Sequence, residues 1–334
     1  MVLVSQGRSR ERVLLFGLEG VGKSLAALDV ASRVKPNKLF VIDNDNAWDR
    51  MLEGQTLAGD DVQVTAEYRW NPKQSRSGGK DVGGWEFDDR WCVEGGNVVV
   101  YHVEGWEANR AAIASVVEEA GPDDWCCIDS GTALWSDVQA WFTEQVFGTT
   151  MDDYFMQVRL EKQAAAENAK ALGALDGWVD WPVINAQYNG GVMKFLVTPP
   201  CHLLVTAEQA DIDMKEEKDK EVRGLYGSLF VKPRGQKRIG HNMQTVLLLT
   251  KRGDEHLVKT VKDRGGREKV TNHAITDVGF GTWYLEEIAG WQERDDEPTL
   301  ATTPVLAIAE VPDIPVPVAK KVTKKIAKKK GVVA

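Results

Sequence analysis

The stretch GLEGVGKSLAALDVA (Gly17–Ala31), directly after the apolar run Val13-Leu14-Leu15-Phe16, decides the fold. Its first eight residues, Gly17, Leu18, Glu19, Gly20, Val21, Gly22, Lys23 and Ser24, satisfy the pattern G-x-x-x-x-G-K-[ST] between a strand and a helix. Glycines at these positions let successive backbone N–H groups turn inward as an anion nest, and the start of the following helix adds partial positive charge. Lys23 is placed to reach β and γ phosphates, the Ser24 hydroxyl to hold Mg²⁺, and Leu25 closes the nucleotide-binding set. The pattern therefore calls for a nucleotide and Mg²⁺.

A nucleotide site of this kind needs a second carboxylate on a neighbouring strand for the magnesium shell. The run Trp125-Cys126-Cys127-Ile128 ends in Asp129, at the carboxyl edge of a strand, where such sites lie. Hydrolysis also needs a residue that orients water. After Leu39–Ile42 come Asp43, Asn44, Asp45 and Asn46, either a polar turn with a helix cap or a second acidic strand tip, with Asp45 as the base.

Short apolar runs alternate with helical patterns along the chain, the pattern of a largely parallel sheet with crossover helices. Strands are expected near 12–16, 38–43, 97–103, 124–128, 201–206, 245–250 and 256–262. Helices are expected at 22–34, 106–120, 132–147, 152–175 and 181–197. The last two strands, separated by KRGDE, read as an antiparallel edge hairpin. Residues 63–96, rich in Gly, Trp and charge, read as an inserted loop within a core of residues 1–291. Residues 292–318 form a Pro/Ala-rich linker, and 319–334 a Lys-rich disordered tail.

The 334 residues carry a net charge of −9, but the last sixteen hold seven lysines and no acid, so the remainder carries −16. Such a body does not coat duplex DNA by charge alone. No apolar run approaches the roughly 20 residues that span a bilayer, and the polar start MVLVSQGRSRER is no secretory signal, so a cytoplasmic location without a membrane partner is expected. The four cysteines lack paired ligand spacing, which argues against a cysteine metal centre.

Three segments resemble the RecA-type recombinases. FVIDNDNAWD (Phe40–Asp49) resembles their strand and acidic turn, with Asp45 at the position of the catalytic glutamate but one methylene shorter. CCIDSGTALW (Cys126–Trp135) is similar to their second nucleotide motif, and LVKTVKDRGGRE (Leu257–Glu268) to the late hairpin whose basic residues reach the neighbouring subunit's nucleotide. The overall build is similar to phage-encoded RecA-like P-loop ATPases of the single-strand-annealing type, over roughly residues 12–285. The resemblance implies an α/β, RecA-like fold and an ATPase, with ATP as its cofactor, that acts in phage recombination or replication in the host cytoplasm. Lys262 or Arg264 of that hairpin is either exposed and idle or acts in trans on the neighbour's nucleotide, and the trans role predicts a homo-oligomer, as a ring or short filament; the resemblance gives Thr206 the role of polar sensor, with Glu208 or Gln209 as alternatives.

The segment RGLYGSLFVKPRGQKRIG (Arg223–Gly240) holds Arg223, Lys232, Arg234, Lys237 and Arg238 without an acid, interleaved with Tyr226 and Phe230. Cations that track phosphates and rings that stack on bases make a single-stranded DNA platform, and a solvated hairpin is the plainer alternative. A DNA-translocating motor shares the phosphate machinery. A small-molecule kinase would instead use Arg69, Arg76 and Arg90 as an arginine lid. Trp70, Trp85 and Trp91 are expected to pack rather than stack on bases.

Overall fold

The computed structural model describes residues 3–4, 10–34, 37–48, 51, 64–73, 83–90, 92, 94–164, 175, 179–212, 220–265 and 273–293. Gln292 and Glu293, expected in the linker, pair with Val4 and Leu3; the rest of the linker, the lysine tail, Arg76 and Trp91 lie outside the described residues.

The apolar run before the phosphate loop becomes β1 (Arg12–Gly17), from which every residue after Arg12 is buried. Loss of water on both faces requires cover on both sides, and helices supply it. In chain order follow α1 (Lys23–Val34), β2 (Leu39–Asp43), β3 (Val64–Asn71), β4 (Gly84–Asp88), β5 (Val98–His102), α2 (Gly105–Glu119), β6 (Trp125–Asp129), α3 (Gly131–Phe147) and α4 (Met151–Ala164). Next come α5 (Asp180–Tyr188), extended through a π turn at Asn189–Met193, then β7 (His202–Asp211), α6 (Lys220–Tyr226), β8 (Val231–Pro233), β9 (Thr245–Arg252), β10 (Glu255–Asp263) and β11 (His273–Ala274). A helical turn at Phe280–Thr282 runs into a π turn at Trp283–Ile288.

The main sheet runs β11-β10-β9-β1-β7-β6-β2-β5-β3-β4, with β8 paired to the end of β7. From β9 to β3 every neighbouring pair is parallel. The flanking pairs β9–β10, β10–β11 and β3–β4 are antiparallel. The α/β class, the mostly parallel sheet flanked by helices and the late antiparallel hairpin expected from the RecA-like resemblance are all present.

Alternation along the strands divides the core between two faces. Leu14, Phe16, Ile42 and Ile128 pack with Trp106, Leu134 and Tyr188 on one face. Val13, Leu15, Val41 and Cys127 pack with Ala27, Leu28 and Tyr284 on the other.

The 63–96 stretch differs from the loop expected. Its described residues include β3 and β4, which extend the main sheet beyond β5. Charged and aromatic side chains had hidden the strand alternation. Trp70 and Trp85 pair edge to face at 5.0 Å, and Trp85 lies 5.1 Å from Tyr101, so both indoles are packing groups. Among the described residues no helix is long and apolar enough to cross a membrane.

Candidate functional site

The register of the parallel strands brings their tips together along one edge. Gly17 lies opposite Glu208, and Asp43 lies opposite both Asp129 and His102. The phosphate loop leaves this edge at Gly17, where an added Cβ would sit 2.2 Å from the Leu249 carbonyl oxygen. Gly20 and Gly22 adopt φ of 74° and 89°, conformations that only glycine takes readily. Leu18, Glu19 and Gly20 are exposed, so the loop is open to a ligand.

Lys23 opens α1, and its ammonium group turns back on the loop, donating to the Gly17 carbonyl at 3.2 Å and the Leu18 carbonyl at 2.7 Å. Burial lowers its pKa, while the nearby carboxylates of Asp129, Glu208, Asp45 and Glu19 pull it back up. Four acids therefore lie within electrostatic reach of this one cation. Among them are the two strand-tip acids singled out from the sequence.

Asp129 is held at both oxygens. Thr206 donates its hydroxyl to Oδ1, and the indole of Trp48 donates to Oδ2 at 3.1 Å. Thr206 is fully buried on β7, so it serves Asp129 directly. Trp48, also fully buried, escaped the sequence reading, because nothing local ties it to a carboxylate 81 residues away. Asp129 closes β6 through a cis peptide to Ser130, whose hydroxyl caps α3 by accepting from the Ala133 N–H at 3.3 Å.

Asp45 accepts the Ala47 N–H at 3.2 Å. Partial desolvation, followed by the charges of Asp129 and Asp43, pushes its pKa up to about 6. A carboxyl that titrates near neutrality is suited to proton transfer. Among the described residues no group of three His, Cys, Asp or Glu side chains could enclose a metal. The oxygen donors of Ser24 and Asp129 fit Mg²⁺ instead, since that ion keeps most of its shell as water and phosphate.

Beside the loop lies a mainly apolar cavity of about 300 Å³, whose walls include Val21, Leu25, His256, Ile275 and Phe280. The His256 ring Nδ1 sits 3.0 Å from the Val21 carbonyl oxygen and ties this wall to the loop. On the other side of the acidic turn, a polar cleft of about 440 Å³ is lined by Asn44, Asn46, Arg69, Trp70, His102 and Asp137, among others.

The basic segment after β7 is anchored at the same edge. Arg234 pairs with Glu208 at 2.9 Å, its backbone N–H reaches the Glu208 carbonyl at 2.7 Å, and its own carbonyl accepts from Thr132 Oγ1 at 3.0 Å. Arg234, Lys237 and Arg238 are exposed, and Arg223 and Lys232 are half-buried. Phe230 is 62% exposed, but Tyr226 is core, packed edge-on against Phe16 at 5.8 Å. The pairing of Tyr226 with Phe230 as stacking rings is therefore corrected to Phe230 alone.

Lys262 and Arg264 lie at the far end of β10, level with the start of β1 and away from this chain's own loop. Lys262 donates to the carbonyls of Gly240, His241 and Met243, and Arg264 to that of His241. Burial, then the charges of Arg264 and Arg12, push the Lys262 pKa down to about 8. In the outer hairpin Arg69 is bonded to Glu67 and Asp88, and Arg90 to Asp88.

No family model matches the chain, and no curated protein matches it. Among solved structures it is similar to the RadB recombinase, at 11% identity and a TM-score of 0.37, over 79% of this chain and 86% of that one. It is also similar to a prototypical ATPase from the type III secretion system of pathogenic bacteria, at 11% identity and a TM-score of 0.34. That match covers 72% of this chain but only about half, 51%, of the other. Likeness at this level carries no argument about activity, which has to rest on the site itself.

Proposed function

We propose that the chain binds and hydrolyses Mg-ATP and couples turnover to binding of single-stranded DNA. The observation that carries the reading is the convergence of Asp129, Asp45 and Glu208 on Lys23 at an open phosphate loop. The backbone N–H groups of the loop would bind the β and γ phosphates, and Lys23 would leave its two carbonyls to meet them. Ser24 and Asp129 would hold the magnesium ion, which supplies charge neutralisation on the phosphates when bound. Thr206 and Trp48 keep the Asp129 carboxylate aimed, and Asp45 accepts a proton from the attacking water. The apolar cavity beside Leu25 and His256 is a seat for the base.

The DNA part is supported by the exposed cations Arg234, Lys237 and Arg238 and by Phe230, with Arg234 anchored on Glu208, itself within electrostatic reach of Lys23. On this reading DNA contact at Arg234 competes for Glu208 and so reaches the phosphate loop. Lys262 and Arg264 would act in a ring or short filament on the next copy's nucleotide. Arg264 is the better candidate, because Lys262 has its donors engaged by three carbonyls. In a small-molecule kinase Arg69 and Arg90 would instead have to leave their carboxylates.

The deciding experiment is phosphate release from ATP with and without a poly-dT oligomer, for wild type and Lys23→Ala. Turnover that rises with poly-dT and vanishes in Lys23→Ala supports both parts. Turnover indifferent to poly-dT removes the DNA part, and wild-type turnover at the level of the variant removes the hydrolysis part.

A further inference from the structure

Asp43 and Glu67 have no exposed side-chain surface, and His102 between them is 4% exposed. The imidazole Nδ1 lies 3.1 Å from Asp43 Oδ2, and Nε2 lies 2.9 Å from Glu67 Oε1. Nδ1 is aligned for a hydrogen bond to Asp43, whereas Nε2 lies at ion-pair distance from Glu67 without the alignment of a hydrogen bond. Beyond Glu67 the alternation of sign continues, with Arg69 on Glu67 at 2.7 Å and on Asp88 at 3.2 Å, and Arg90 on Asp88 at 2.6 Å. Acid and base thus alternate over β2, β5, β3 and β4. Buried ion pairs are costly, and apolar residues often replace them without loss of stability, so stability alone does not account for this row.

Its inner end leads to the nucleotide edge. Asp43 Oδ2 also accepts the Trp48 N–H at 3.4 Å, which closes the turn that presents Asp45. Trp48 in turn holds Asp129 through its indole. The Asn44 N–H donates to the Asp129 carbonyl at 2.7 Å, and the Val103 N–H to the Asp43 carbonyl at 3.0 Å. One carboxylate therefore sets the turn, and one imidazole sets that carboxylate.

We propose that His102 is a positioning residue of the nucleotide site: by bridging Asp43 to Glu67 it fixes the Asp43–Trp48 turn that carries Asp45 and orients Asp129. It touches no substrate. Its effect is on the precision of groups that do, and small misplacements of such groups cost large factors in rate.

The kinetic test rests on the hydrolysis reading and the spectroscopic one does not. In His102→Gln the side chain can serve one carboxylate but not both. The kcat for phosphate release should fall about tenfold or more, with KM for ATP held within about twofold and the denaturation midpoint close to that of wild type. Glu67→Gln, which keeps shape and removes charge, should lower kcat in the same direction by less, and it stands in if His102→Gln does not fold. Ring ¹⁵N spectra of the full chain, assigned by the signals lost in His102→Gln, should show Nδ1 of His102 carrying the proton that it donates to Asp43. A folded variant with kcat within twofold of wild type overturns the proposal, as does a His102 ring without a proton on Nδ1. Wild type without any turnover, but with the proton on Nδ1, retains the hold on Asp43 and removes the hydrolysis reading instead.

Discussion

The phosphate loop and the acidic row beside it occupy one edge of one sheet but are built in opposite ways. The loop is a single run, Gly17–Ser24, whose geometry follows from two glycines with positive φ and a helix start. The row is assembled from strands far apart in the chain: Asp43, His102, Glu67 and Asp129, with Trp48 and Thr206 as struts. A local cradle tolerates change in its surroundings. An assembled row depends on every strand holding register, since a shift of one residue turns each side chain to the other face. Binding and turnover should therefore separate, with nucleotide capture on the loop and rate on the row.

The most severe way to break this division is at the loop. Lys23→Ala should lower phosphate release by about a hundredfold or more, as the loss of a preorganised charge at the phosphates does. Its denaturation midpoint should stay near that of wild type, because the lysine spends its bonds on loop carbonyls. Turnover within fivefold of wild type would end the phosphate reading.

The row should answer in stability as well as rate. Thr206→Val removes the donor to a buried carboxylate, and urea titration should show a loss of about 1–3 kcal/mol. Unchanged stability would mean that Thr206 does not hold Asp129.

Asp45 sharpens the comparison by pH. Its folded-state pKa is raised to about 6 from an ordinary value near 3.8. Between those values the native state holds a proton that the unfolded chain has lost, so this group's contribution to stability decreases as pH rises from about 4 to 6. Asp45→Asn should accordingly be more stable than wild type at pH 7.5 and equal to it near pH 4, while its turnover loses the acid limb centred near pH 6. A difference in stability that is independent of pH would refute the assignment.

The smallest effect is expected outside both regions. Arg234→Ala removes an exposed pair with Glu208 and should shift stability by less than about 1 kcal/mol. Its signature is a weaker dependence of poly-dT binding on salt, by about one phosphate contact. An unchanged salt slope would take Arg234 off the DNA surface.

How much was legible in the sequence follows the same division. The loop, the strands β1, β2, β5, β6, β7, β9 and β10 and Asp129 each carry a signal inside a dozen residues: an apolar run, a glycine pattern, an acid at a strand end. Trp48, Glu67 and His102 carry none, because an indole, a carboxylate and an imidazole acquire their roles only when β2, β5, β3 and β6 come side by side. The β3–β4 hairpin was hidden for a related reason: Glu67 and Arg69 share one face of β3 and make it ionic, so only the opposite face, with Ala66, Tyr68 and Trp70, carries the apolar pattern. Tyr226 and Phe230 sit four residues apart in one basic stretch, yet one is core and the other solvent-facing, a distinction that only the packing of α6 against Phe16 makes.

The ammonium group of Lys23 spends its hydrogen bonds on two carbonyls of its own loop. Any visitor must outbid those two bonds before the loop gains from it. On the proposed reading, a nucleoside monophosphate, whose charge stops short of the lysine, would displace nothing, whereas a longer polyphosphate tail would release the latch. Such a site would count phosphates, disfavouring the short relatives of ATP before any chemistry begins.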